Sequence, residues 1–387
     1  MKKNLYFVVF LCANALYAQN TTWKPVIEMG GQLFPSYLMA TATADLFDTS
    51  EPTPFWLGDP NGMLGISIVN SVANAKIKLV VDAPKLTEGL SVFEGTLSKK
   101  GEEYLIFPDV KYNYATLANM TQPLPFNATF TLFVNGKRMG EQSKRINVRA
   151  ISDCPYSFTN LDGEEEDISW MFAAYVNENH PTVDEILKEA LATKLVKSID
   201  GYQSGEPENV YKQVFAIWTV FQKKGIKYSS ITRSSGESEK VTSQTVRPMS
   251  ESLKAVQANC VDGSVLFASV LRKIDMDPFL VLVPGHCFLG FYLDAEHKDF
   301  EVLETTMLGE TNPGQTNKDV DELYKELFGN SPTYLKNWRI FSAAIEAANQ
   351  TYEENKKQLE DEKNEDMQYQ FIDIDDWRKM GVMPINR

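Results

Sequence analysis

The sequence predicts an α+β chain built in two stretches, strands first and then helices around a second, smaller sheet. Three observations carry this expectation. From Trp23 to about Ile151, apolar and polar residues alternate in short runs with hardly any helical periodicity. After "SDCPYSFTNLDGEEED" the period changes, and apolar residues recur three and four apart. Within that second stretch, a segment starting at Asn259 is apolar nearly all round and leads directly into two apolar strands.

The first stretch contains "GISIVNS", "AKIKLVVDAP" and "FNATFTLFVNGKRMGEQSKRINVRAI", separated by Gly, Pro, Asn and Asp. In the last of these, Phe130, Leu132 and Val134 share one face, and Ile146, Val148 and Ala150 share a face of the return strand. Several such strands within one domain's length predict a β-sandwich of immunoglobulin-like type over 20–151, with a spacer or docking role.

Ahead of it, Lys2 and Lys3, an apolar run from Leu5 to Ala13 and then Ala18 follow the order of a secretory signal. Removal of residues 1–18 is therefore expected, with an exported chain that is periplasmic or secreted. Bulky Leu11 before Cys12 argues against a lipid anchor, and no later apolar run is long enough to span a bilayer. The formal charge of −14 becomes −16 without Lys2 and Lys3, which excludes nucleic acid as an expected partner. The acidic runs at 164–167 and 353–366 read as solvated faces. Cys154, Cys260 and Cys287 remain in the mature chain, an odd number that leaves at least one thiol unpaired.

In the second stretch, Thr182 with Glu185 has the spacing of a capping box ahead of Val183, Ile186, Leu187, Ala190 and Leu191. A further helix is expected from about Glu206 to Lys224, stopped by Gly225. The strand "IKYSSI" and a polar loop, "TRSSGESEKVTSQT", follow it, and a helix from about Lys336 to Glu365 comes near the end. No internal repeat and no phosphate-binding glycine loop is present, so no cofactor is expected.

Asn259 is a favoured N-cap, which makes Cys260 the first residue of a central, buried helix. A thiol there feels the positive end of the helix dipole and the free N–H groups, which favour a thiolate and would stabilise an oxyanion. Of the histidines, His180 precedes Pro181 at a helix entrance and His297 sits in a polar turn. His286 begins a strand flanked by apolar segments. The next strand, "FEVLETT", brings Glu304 toward the other ring nitrogen, with Asp299 and Glu301 as open alternatives. Cys287, next to His286 on the strand, is expected to point to the opposite sheet face, away from Cys260, as a core residue without a 260–287 disulfide. Gln257 and Asn259 are candidates for a side-chain oxyanion donor, with loop and cap roles as the plainer reading. His286, Cys287 and Cys260 lack a recognised zinc spacing, so no metal is expected. A carbohydrate-active reading lacks a carboxylate pair.

The order of "NCVDGSVLFASVLRKI", "VPGHCFLGFY" and "VLETT", preceded by "VYKQVFAIWTVFQKKGIKYSS", resembles the transglutaminase-like superfamily of papain-type cysteine enzymes. The resemblance covers about 205–310. It implies a helix packed on an antiparallel sheet, a transglutaminase-like domain over 152–387, and a catalytic triad of Cys260, His286 and Glu304. The implied activity is that of a cysteine protease, amidase or acyltransferase acting through an acyl-enzyme on a protein or peptide substrate, with hydrolysis favoured. The sequence departs from the family in lacking Trp after Cys260, in using Glu where Asp is commoner, and in the cysteine beside His286. The rival expectation is an inactive binding or assembly module on the same fold.

Overall fold

The computed structural model describes residues 21–44, 55–314, 317–361, 363–364 and 366–385; the expected signal at 1–18 lies outside them. The chain is α+β, with several separate sheets. Residues up to Val148 supply two of these. One has four strands in the order Thr22–Ile27, Leu64–Val69, Glu103–Phe107 and Trp56–Gly58. The other has five, in the order Gln32–Leu33, Lys137–Val148, Leu124–Val134, Ala75–Asp82 and Ser91–Leu97. Alternation decides which way they face: Ile77, Leu79 and Val81 are buried, while Lys76 and Lys78 are exposed. Their partners Val134, Leu132 and Phe130 are buried with them, and Ile146 and Val148 follow on the return strand. That hairpin turns at Asn135 and Gly136, whose φ angles of 51° and 78° match the right-handed twist of the strands they join.

From Asp153 onward, the strands pair only among themselves within the described residues. Glu165–Asp167, Asp153–Thr159 and Val241–Thr245 form one sheet in that order. Phe300–Leu303, His286–Tyr292, Pro278–Val283 and Gln370–Asp373 form an antiparallel four-stranded sheet. The helix Cys260–Lys273, buried from Cys260 through Leu271, packs on one face of this second sheet. The helix Leu335–Leu359 covers the other face, with Ala348, Tyr352 and Leu359 against Phe279, Val281 and Phe288. Away from the sheet, Trp338 of the long helix packs among Phe215, Phe328 and Phe341, with ring centroids 5.0, 5.5 and 5.8 Å away. Its indole N–H donates to the Val320 carbonyl at 2.9 Å.

Several local expectations change. The helix Pro181–Ala192 is capped by His180, whose Nδ1 accepts from Thr182 N at 3.2 Å, because Pro181 is pre-set for the first helical position. The segment read as a strand at "IKYSSI" is only Lys227–Tyr228, paired in parallel with Gln257–Ala258. The polar loop after it contains the strand Val241–Thr245, whose partner Asp153–Thr159 is remote in sequence. The long helix stops at Leu359 because Asp361 and Asn364 side chains bond nearby backbone groups instead, Asn364 Nδ2 reaching Gln358 O at 2.9 Å.

Trp338 is fully buried, so Trp338→Ala should leave a cavity and an unpaired carbonyl. A loss of about 3–5 kcal/mol is expected from urea unfolding; a loss below about 1 kcal/mol would show that the aromatic cluster is not a unit.

Candidate active site

The site is built on the start of the central helix. The Asn259 side-chain oxygen accepts from Asp262 N at 2.8 Å, and Asp262 Oδ2 accepts from Asn259 N at 3.0 Å, which closes a reciprocal cap. Asn259 Nδ2 donates to the carbonyls of Ile231 and Thr245 at 3.1 and 3.0 Å. Asp262 also accepts from Arg247, through the backbone at 2.7 Å and the guanidinium at 2.6 Å. Burial pushes the Asp262 carboxyl up more strongly than these donors pull it down. The cap role of Asn259 uses its whole amide, and Gln257 is exposed; neither is an oxyanion donor.

Cys260 follows the cap, nearly buried, with the first helical N–H groups beside it. Its carbonyl accepts from Ser264 Oγ at 2.9 Å, which fixes the backbone behind the thiol. His286 stands at the end of the four-stranded sheet, just after the turn at Gly285, and lines the same cleft as Cys260, which is among the groups that raise its imidazolium. His286 Nε2 meets Glu304 Oε2 at 2.6 Å, so Nδ1 is the ring nitrogen not engaged by the carboxylate. Glu304 Oε1 accepts from Thr306 N at 3.0 Å and Thr306 Oγ1 at 2.6 Å. Both carboxylate oxygens are therefore committed.

The structure thus brings Cys260, His286 and Glu304 together. Glu304 lies one residue beyond the strand and caps the short turn Thr305–Met307, rather than sitting within the strand. The alternatives are elsewhere: Glu301 Oε2 takes a hydrogen bond from Asn349 of the long helix, and Asp299 belongs to the exposed turn with Asp294. His180 is a cap, and His297 pairs with Asp277 at 2.9 Å.

Burial disfavours charge on His286, but its hydrogen bonds to Cys260 and Glu304 and the carboxylate charge outweigh this and raise the imidazolium to about 10. Burial likewise pushes Glu304 up, and the His286 and Thr306 contacts overcome it, leaving the carboxyl below its ordinary range. An imidazolium–carboxylate pair is the favoured state.

Cys287 requires a correction. It faces the central helix, in the cluster with Leu289 and Phe291, and lines the same cleft as Cys260. Strand parity puts it opposite Phe288, but at the sheet's end the Gly285 turn lets His286 reach the helix tip as well. Cys154, Cys260 and Cys287 are all free and buried.

The thiol opens into a cleft of about 690 Å³ between the three-stranded and the four-stranded sheets of the second stretch. Gln244 lines the same cleft as Cys260, and its Nε2 is buried with no hydrogen-bond partner. Its position is set by Thr245, whose carbonyl holds the Asn259 cap. The sequence reading missed Gln244 because it sits in a segment read as a polar loop. Asp262 was legible in principle from the Asn-x-x-Asp spacing.

Neither a protein-family model nor a curated protein matches this chain. Its chemistry is read from its own geometry. Among the described residues, no group of three or more His, Cys, Asp or Glu side chains is placed to hold a metal ion, and no helix is long and apolar enough to cross a membrane.

The His286 contribution to stability is full below about pH 6.5 and fades as pH rises toward about 10; the Glu304 contribution is full above about pH 4.5 and fades as pH falls. The gap in urea midpoint between wild type and His286→Gln should be widest at about pH 5 to 6 and close toward pH 10. A gap that widens with rising pH would exclude the ion pair.

Proposed function

We propose that this chain is an exported transglutaminase-like cysteine enzyme, with an immunoglobulin-like β-sandwich ahead of it, that hydrolyses amide or peptide bonds. The observation that carries this reading is the Cys260–His286–Glu304 arrangement at a helix N-terminus, open to a cleft. In this reading the thiol proton already resides on His286, and the sulfur attacks the carbonyl carbon as a thiolate, forming a C–S bond as the carbonyl electron pair moves to oxygen. The oxyanion is met by the Cys260 N–H and the Gln244 amide, the unpartnered donor of the cleft. Collapse of the intermediate breaks the C–N bond, and the leaving amine takes the proton from His286. Water then gives a proton to His286 and attacks the thioester, and collapse breaks the C–S bond, releasing the acid and restoring the thiolate beside the imidazolium.

The charge lining the cleft favours one substrate class. Among the described residues Glu165, Asp167 and Asp366 border it, with no lysine or arginine, so a neutral or basic peptide is favoured over an acidic one.

Iodoacetamide mapping by mass spectrometry at neutral pH tests the thiol first. Cys260 should label at least about tenfold faster in wild type than in His286→Ala, while buried Cys154 and Cys287 stay unlabelled without denaturant. Equal rates would sink the pairing. His286-dependent labelling with no turnover on any peptide would favour the inactive binding module.

Gln244→Leu addresses the oxyanion. A drop of about 10²-fold in kcat on a lysine-containing peptide is expected, with alkylation of Cys260 unchanged. A parallel loss of alkylation would mean that Gln244 positions the thiol instead.

A further inference from the structure

A second cavity, of about 310 Å³, opens between the first stretch of the chain, residues 158–170 and the terminal segment bearing Trp377. It is separate from the thiol, although Asp167 borders both spaces. Aromatic rings make its walls: Tyr37, Trp56, Phe158, Trp170 and Trp377. Trp170 stacks on Trp377 at 5.0 Å and 21°, and Tyr37 lies 6.2 Å from Trp170. Among these rings sits Glu28, only 8% exposed, with Oε2 buried and without a hydrogen-bond partner.

The backbone holds that carboxylate in place. Glu28 N donates to Met63 O at 3.2 Å, and the next residue, Met29, takes φ 48°, a left-handed conformation unusual for a side chain of its size. Burial pushes the Glu28 carboxyl up to about 7, with Met29 N–H opposing and Asp162 and Glu166 adding to the rise. Among the described residues, the other charged groups bordering the cavity are Asp162, Glu166 and Asp167, and no lysine, arginine or histidine lines it. An orphaned buried carboxylate is destabilising until something donates to it. Ring faces attract cations, and nearby acids exclude anions. The unpartnered acceptor calls for an N–H donor, which a quaternary ammonium lacks.

We propose that this cavity binds the ammonium group of a primary alkylamine, seated among the ring faces with an N–H donated to Glu28 Oε2. The same chemistry is presented by a free amine and by a lysine side chain. Nothing in this site depends on reaction at Cys260, and Cys260→Ser should bind as wild type does.

The test is titration of the full chain at constant ionic strength, read by tryptophan fluorescence and calorimetry. The ligands are n-butylammonium for a free amine, acetyl-lysine-methylamide for a side chain, and n-butanol as the neutral counterpart. Saturable binding of at least one amine, at least about tenfold tighter than n-butanol, is expected. The tighter of the two amines identifies the source. Glu28→Gln should lose about tenfold in affinity with its melting transition intact. Trp377→Leu, at the partly exposed wall, should also weaken binding and serves if Glu28→Gln does not fold. Butanol binding as tightly as both amines, or unchanged amine affinity in Glu28→Gln or, failing its folding, in Trp377→Leu, would overturn the proposal.

Discussion

The start of the helix Cys260–Lys273 is the constraint on which the rest depends. A helix end inside a protein must find partners for its first N–H groups. Here Asn259 and Asp262 satisfy each other reciprocally, and their remaining atoms reach outward to Ile231, Thr245 and Arg247. The Arg247–Asp262 pair is almost fully desolvated, with side-chain exposures of 14% and 0%. Pairs of that kind act through geometry, since removing one partner strands the other charge. The same contacts that make the helix end tolerable therefore fix the segment carrying Gln244 beside the segment carrying Cys260.

The other half of the site depends on where strands stop. Along His286–Tyr292 the side chains obey two-fold alternation, with Leu289 and Phe291 against the central helix and Phe288 against the long helix. At the strand's first residue that rule relaxes, and His286 turns toward the helix tip. Glu304 is likewise released from its strand and held by four hydrogen bonds: its own N–H to Ala344 O at 3.2 Å, two from Thr306 to one carboxylate oxygen, and one from His286 to the other. Thr305 completes the joint by packing on Gly263, where an added Cβ would lie 2.6 Å from the Thr305 hydroxyl. The absence of a side chain at Gly263 lets the turn approach the helix closely enough for Glu304 to support the imidazole.

Acidity runs through both cavities. The chain carries a formal charge of −14, and among the described residues carboxylates border the cleft and the aromatic pocket without any lysine or arginine in either lining. Such a surface concentrates cations near the molecule and repels anions. Around Cys260 the effect selects among substrates. Around Glu28 the carboxylate itself is enclosed and lacks a donor, so the electrostatic demand is local and directional.

The sequence by itself determined what local periodicity and residue chemistry encode. The buried alternation at Phe130, Leu132 and Val134, the helix that stops at Gly225, and Cys260 placed directly after an Asn cap were all legible, because each follows from neighbours within a few residues. Glu304 was legible as one of three acidic candidates, with Asp299 and Glu301 left open. Tertiary structure decided what depends on distant partners. "VTSQT" becomes a strand only because Asp153–Thr159 lies beside it, and that pairing puts Gln244 in the cleft. Cys287 turns toward the helix, and His286 also reaches its tip, because a strand's end escapes the alternation that governs its middle. Glu28 meets three tryptophans spread from 56 to 377 in a cavity that no local pattern announces. Local rules act through covalent geometry over a few residues, whereas cavities and orphaned polar atoms exist only once remote segments pack together.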